Sequence, residues 1–288
     1  MATLKVNGTE YYYEEHGPKE APAIVLSPLL YTDTSVYEPL IRMFSDDYRV
    51  VVYDHRGLGK SAGAPSTSLE HSAKDVAALI EKLNLGPCHF VGNCLGSFVG
   101  LHLAIHRSDL LKSCTLMGAT AEAESDETVR DMDTFITNAK KNGMKSSAKS
   151  FSEMWFGSTF RNTKDPIQVT RREKWINHLG KLKPESLDAA TQIYHRSDVT
   201  KDLSKISCAV LVIAGDEDSP TNLEAYRRMV KAIPNAEFKT IHHAGYALVI
   251  EQPEEIAENI LTFIERVEHH WAAKQKQAPR EFGFRKAG

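Results

Sequence analysis

The stretch from 90 to 100, Phe-Val-Gly-Asn-Cys-Leu-Gly-Ser-Phe-Val-Gly, constrains this chain more than any other. An apolar run ends in Val91, the small residues Gly92 and Gly96 flank Asn93-Cys94-Leu95, and a helical pattern follows. That order is the strand, sharp turn and helix of a nucleophile elbow, whose central residue is held in strained backbone geometry. Side chains at 92 or 96 would collide with the strand and the helix, so both positions must stay small. A plain βα turn with a structural cysteine uses the same letters, and the rest of the chain has to decide between the two.

At 288 residues, with ordinary apolar content and a formal charge of −3, the chain is long enough for one large domain or a domain with an insertion. No basic excess points to nucleic acid. No apolar run is long enough to span a bilayer, and the opening Met-Ala-Thr-Leu-Lys-Val lacks the segments of a secretion signal. The expectation is a cytoplasmic protein without membrane or nucleic-acid partners. Cys88, Cys94, Cys114 and Cys208 lack metal-ligand spacing and fall on or beside apolar strands, so neither a metal, a cofactor nor disulfides are expected.

The pass along the chain predicts an α/β architecture. Residues 3–6 and 10–16, separated by Asn7-Gly8, read as a β-hairpin. Buried strands are expected at 23–26, 49–53, 88–91, 110–117, 209–214 and 236–241, with helices over 36–44, 68–84, 95–105 and 221–233, and a last one starting at Pro253. The Gly-rich loop at 54–61 lacks the full phosphate-cradle spacing and reads as a turn. Strands alternating with helices imply a mostly parallel sheet covered on both faces, with ligands at the carboxyl ends of the strands. Cys94 lies at one of those ends.

From 119 to 204 the pattern changes to successive helices, clearest at 127–141, 147–156 and 184–195. This segment is read as a helical cap inserted into a core formed by 1–118 and 205–270, with a polar, mobile tail at 271–288. Trp155, Phe156 and Tyr194 in the cap are candidate pocket residues, although packing the cap onto the core would use the same aromatics.

With these pieces in order, the chain resembles the α/β-hydrolase superfamily over residues 9–270, and within it the capped enzymes similar to 3-oxoadipate enol-lactonases. The loop 26–33 stands where that group carries its oxyanion loop, and 54–61 matches Asp-x-Arg-Gly-x-Gly-x-Ser. Gly92 to Gly96 is the elbow, Gly215-x-x-Asp218 the acid motif, and Gly245-Tyr246 with Glu251-x-Pro253-Glu254 the histidine motif. The resemblance implies a catalytic set of Cys94, Asp218 and Tyr246, with an oxyanion hole made by the N–H groups of Leu95 and of Leu29, since Pro28 has no N–H.

Two positions depart from the family. Cys94 stands where serine is usual; a thiolate is the better nucleophile, and a helix N-terminus favours it. Tyr246 stands at the general-base histidine, and a phenol titrates too high to take a proton at neutral pH. His242 or His243, just upstream, are the candidate surrogate bases. Without an imidazole, Asp218 is expected to bond to Tyr246 instead.

The leading reading is an enzyme acting on a small carbonyl substrate, an ester, lactone or diketone, with Cys94 as nucleophile. The second is a lyase, decarboxylase or isomerase using Tyr246 as an acid. The third is a ligand-binding or sensor protein that has lost catalysis, because a fold does not fix function. Substrate identity and oligomeric state stay open at this level.

Overall fold

The computed structural model describes residues 2–277. The chain begins with an antiparallel hairpin of β1 (Ala2–Val6) and β2 (Thr9–His16), turning at Asn7 and Gly8 with φ of 44° and 82°. Both turn residues are left-handed, as a two-residue type I′ turn requires. Next come β3 (Ala23–Ser27), α1 (Glu38–Phe44), β4 (Arg49–Tyr53), α2 (Leu69–Lys82), β5 (Cys88–Asn93), α3 (Leu95–His106) and β6 (Leu111–Met117).

Between β6 and β7 the described chain forms only helices: α4 (Asp126–Asn142), α5 (Ala148–Glu153), α6 (Ser158–Asn162), α7 (Pro166–Leu179) and α8 (Thr191–Tyr194), joined by 3₁₀ turns. Residues 184–190, expected as part of a helix, form one of those 3₁₀ segments. The sheet then resumes with β7 (Ala209–Gly215), followed by α9 (Pro220–Ala232), β8 (Ala236–Ile241), α10 (Leu248–Glu251) and α11 (Pro253–Gln277). The last helix runs past 271, so the expected tail does not begin there; residues 278–288 lie outside the described residues.

The eight strands form one sheet in the order β1-β2-β4-β3-β5-β6-β7-β8. Only the β1–β2 and β2–β4 pairings are antiparallel. Every residue of β3 and β5 is buried, as expected of central parallel strands covered on both faces. Helix α3 is buried along its whole length except its last residue and, apart from Ser97 and His102, is apolar over that buried length. With its N-terminus at the carboxyl end of β5, the centre of the sheet delivers Cys94 to a fixed point.

Candidate active site

Cys94 has φ 52° and ψ −118° and caps the N-terminus of α3. Such a conformation costs a non-glycine residue on the order of 1–3 kcal/mol and persists only where surrounding bonds impose it. Here Cys94 N–H donates to the Met117 carbonyl at 2.7 Å, and the Ser97 hydroxyl donates to the Gly92 carbonyl at 2.6 Å while accepting from Met117 N–H at 2.6 Å. The two glycines are obligatory. A Cβ at Gly92 would lie 2.3 Å from the Gly96 carbonyl carbon, and one at Gly96 would lie 2.0 Å from the Ser27 carbonyl oxygen.

The Cys94 thiol is 2 % exposed and opens onto a cavity of about 240 Å³. Burial pushes its pKa up, opposed by the Tyr246 hydroxyl, by the backbone amides of Leu30 and Leu95, and by the Arg196 charge. The amide that faces the sulfur from the β3 loop therefore belongs to Leu30, one residue beyond the expected Leu29. The turn closed by Thr32 N–H on the Leu29 carbonyl, with Tyr31 at φ 63°, sets that register.

Tyr246 sits beside the thiol as its motif predicts, but its hydroxyl donates to the Gly118 carbonyl at 2.7 Å. Burial, and then the neighbouring thiol, push its pKa well above the ordinary phenol range. The predicted bond from Asp218 to Tyr246 is absent. Asp218 accepts instead from Tyr226 Oη at 2.8 Å, from Asn222 Nδ2 at 3.0 Å and from Ser219 N–H at 2.7 Å. Desolvation raises the Asp218 pKa despite these three donors. Asn222 and Tyr226 are four residues apart on α9 and so share the face turned to the acid.

Neither surrogate histidine reaches the thiol. His242, 76 % exposed in its side chain, pairs with Asp216 at 2.8 Å, and His243, at φ 57°, is likewise exposed. The chain leaves β8 at Ile241 and turns outward at these two residues before coming back to the cavity at Tyr246. No histidine lines the cavity among the described residues. His195 pairs with Asp133 at the surface, and His102 lies near Glu70.

Of the three predicted pocket aromatics, Trp155 and Tyr194 line the cavity. Phe156 does not; next to Trp155 in the turn between α5 and α6, it packs edge-on against Phe160 with centroids 5.0 Å apart. Sequence reasoning missed Tyr226, Gly118 and Arg196. Tyr226 was legible in principle, two helical turns beyond the acid. Arg196 carried no local signal, since its surroundings come from three separated segments. Its side chain is 5 % exposed, lies over Phe98, and donates to Glu124 at 2.8 Å, to Thr120 Oγ1 at 2.9 Å and to the Glu122 carbonyl at 2.8 Å. A larger cleft of about 580 Å³ lies at the amino ends of β6, β7 and β8, but it contains none of these groups.

The wall of the cavity has two characters. Aromatic rings come from Tyr194, Tyr226, Tyr246, Trp155 and Phe98, and polar groups from Arg196, Glu124, Thr120 and Asn222 are interleaved with them, Arg196 lying over Phe98. No group of three or more His, Cys, Asp or Glu side chains with metal-holding geometry occurs among the described residues.

Residues 22–253 match the model of the alpha/beta hydrolase fold family. Among curated proteins the chain is 28 % identical to 3-oxoadipate enol-lactonase 1 of Acinetobacter baylyi over 253 residues, covering 88 % of this chain and 92 % of that one. Among solved structures it is similar to a thermophilic esterase from Thermogutta terrifontis (TM-score 0.83, 25 % identity, 93 % of this chain and 99 % of that one). It is also similar to the enol-lactonase from Burkholderia xenovorans LB400 (TM-score 0.81, 25 % identity, 92 % of this chain and 100 % of that one). The sheet order, the elbow at Cys94 and the family match across most of the chain place this protein in the alpha/beta hydrolase fold family.

Proposed function

We propose that this protein opens a small ester or lactone through Cys94, beneath a cap formed by the helices of 119–204. One observation carries the reading: the sulfur lies at a strained elbow beside two backbone amides, Leu30 and Leu95, and opens onto a small cavity. Such amides stabilise the oxyanion that forms when a nucleophile adds to a carbonyl. The enol-lactonase and esterase names of the relatives support the same substrate class. The cavity is smaller than the roughly 300–1,000 Å³ typical of drug-sized ligand sites, so the substrate is small.

With no imidazole at hand, the thiol proton needs another route. Sulfur bonds to the carbonyl carbon, the thiol proton passes to Tyr246 Oη, and the Tyr246 hydroxyl proton passes to the leaving oxygen as the C–O bond breaks. Tyr246 ends as it began, and the step releases its bond to Gly118. This relay favours leaving groups that need little protonation, such as enols and phenols.

The test is intact-protein mass after mixing with p-nitrophenyl acetate. The expected result is an acetyl adduct on Cys94, with turnover abolished in Cys94→Ala and slowed about 100-fold in Tyr246→Phe. Turnover that survives Cys94→Ala with no adduct in the wild type would overturn the reading. A second reading, acid catalysis of a lyase or isomerase step by Tyr246, is favoured by the cavity having three tyrosines and no histidine. It predicts product from an enolisable diketone with no adduct at any time.

A further inference from the structure

Resting on the proposed Cys94 chemistry, the problem left is how an acyl-cysteine is hydrolysed where no histidine can activate water. Two phenols with bound hydroxyls line the cavity, and their partners differ in chemistry. Tyr246 donates to the Gly118 carbonyl, an amide oxygen that cannot take the proton away. Tyr226 donates to Asp218 Oδ2 at 2.8 Å, a carboxylate that can. The other Asp218 oxygen is held by Asn222 Nδ2 and the Ser219 amide, which orients the carboxylate on Tyr226. Tyr226 is 1 % exposed to solvent, yet it lines the same cavity as Cys94.

We infer that Tyr226 and Asp218 form the water-activating pair of this site, with the phenol relaying to the carboxylate the proton that a histidine would otherwise carry. A phenol is a poor base by itself, but as a relay it never bears the charge. A water oxygen bonds to the acyl carbon of the Cys94 thioester. One water proton moves to Tyr226 Oη while the Tyr226 proton moves to Asp218 Oδ2, and the oxyanion is held by the Leu30 and Leu95 amides. Collapse breaks the C–S bond, and the proton returns from Asp218 through Tyr226 to the departing sulfur. The balance is thioester plus water to carboxylic acid plus thiol, with both relay residues restored. The division of labour that follows is Tyr246 for acylation and Tyr226 for deacylation.

The experiment is stopped-flow release of p-nitrophenol, with intact mass on the same samples, for wild type, Tyr226→Phe, Asp218→Asn and Cys94→Ala, each checked by thermal melting. The expected result for Tyr226→Phe is a burst within about threefold of wild type, a steady state slowed about 100-fold, and an acetyl-Cys94 species that accumulates. Asp218→Asn, which keeps the shape of the carboxylate, is expected to behave the same way. If Tyr226→Phe clears its adduct at the wild-type rate, or slows burst and steady state equally, the relay is overturned while the nucleophile stands. An adduct absent from every variant, with turnover in Cys94→Ala, overturns the nucleophile and the relay together.

Discussion

Cys94, Gly96 and Gly118 show how little room single residues have at this site. Gly96 packs against the backbone of Ser27, where a Cβ would lie 2.0 Å from a carbonyl oxygen that cannot move without shifting β3. Gly96→Ala is therefore expected to cost about 3 kcal/mol, read as a lowered denaturant midpoint; an unchanged midpoint would contradict the packing. Gly118 has a milder task. At φ 73° it accepts the Tyr246 hydroxyl, and a Cβ there would meet the Tyr246 ring at 2.8 Å. Gly118→Ala is expected to displace the phenol and slow acylation of Cys94 at least as much as Tyr246→Phe, and single-turnover kinetics with an activated ester would reveal it.

At the scale of elements, one polar chain ties the last helix to the sheet. His89 on β5 bridges Ser113 Oγ on β6 at 2.8 Å and Glu268 on α11 at 2.7 Å, and Lys112 meets the same Glu268 oxygen at 2.6 Å. The His89 hydrogen bond, then Lys112, hold the Glu268 pKa down to about 2 from 4.5, against its own desolvation. A depressed carboxylate stabilises the fold above its unfolded pKa and loses that contribution as pH falls through the folded value. Melting temperature of the wild type should therefore fall between about pH 4.5 and about pH 2. Glu268→Gln should melt lower at pH 7 and show a flatter slope across that window. Equal slopes would show that the pair contributes nothing.

Across the whole molecule, the helical segment and the sheet loops meet on one carboxylate. Glu251 Oε2 accepts from Gly157 N–H at 2.9 Å and from Gly245 N–H at 3.0 Å, while the Trp155 carbonyl accepts from Tyr246 and Ala247 N–H, both at 2.9 Å. Burial raises the Glu251 pKa to about 7 from 4.5 in spite of those amides. The sign is opposite to that of Glu268. A raised folded pKa gives a stabilisation present in full below about 4.5 and lost as pH climbs through about 7. Glu251→Gln keeps an acceptor oxygen and removes the titration, so the decline in melting temperature from pH 5 to pH 8 should be smaller in the variant than in the wild type. A decline of equal size would show that another group causes it.

The sheet, its crossovers and the elbow were legible in the sequence because they rest on local periodicity and on glycines whose need is local. Val91, Gly92 and Gly96 announce a strand–turn–helix before any partner is known, and Cys94 inherits its place from them. The substitution of tyrosine at 246 was equally visible. What Tyr246 and Asp218 do was decided by tertiary structure, because a hydrogen-bond partner depends on direction as well as proximity. The chain turns His242 and His243 outward, gives Tyr246 to the Gly118 carbonyl, and brings Tyr226 from α9 to Asp218. Arg196 reaches the same cavity with its charge matched by Glu124, from a segment where no spacing could announce it. By itself the sequence determined where the reactive sulfur stands; only the packing of distant segments decided which groups can exchange protons around it.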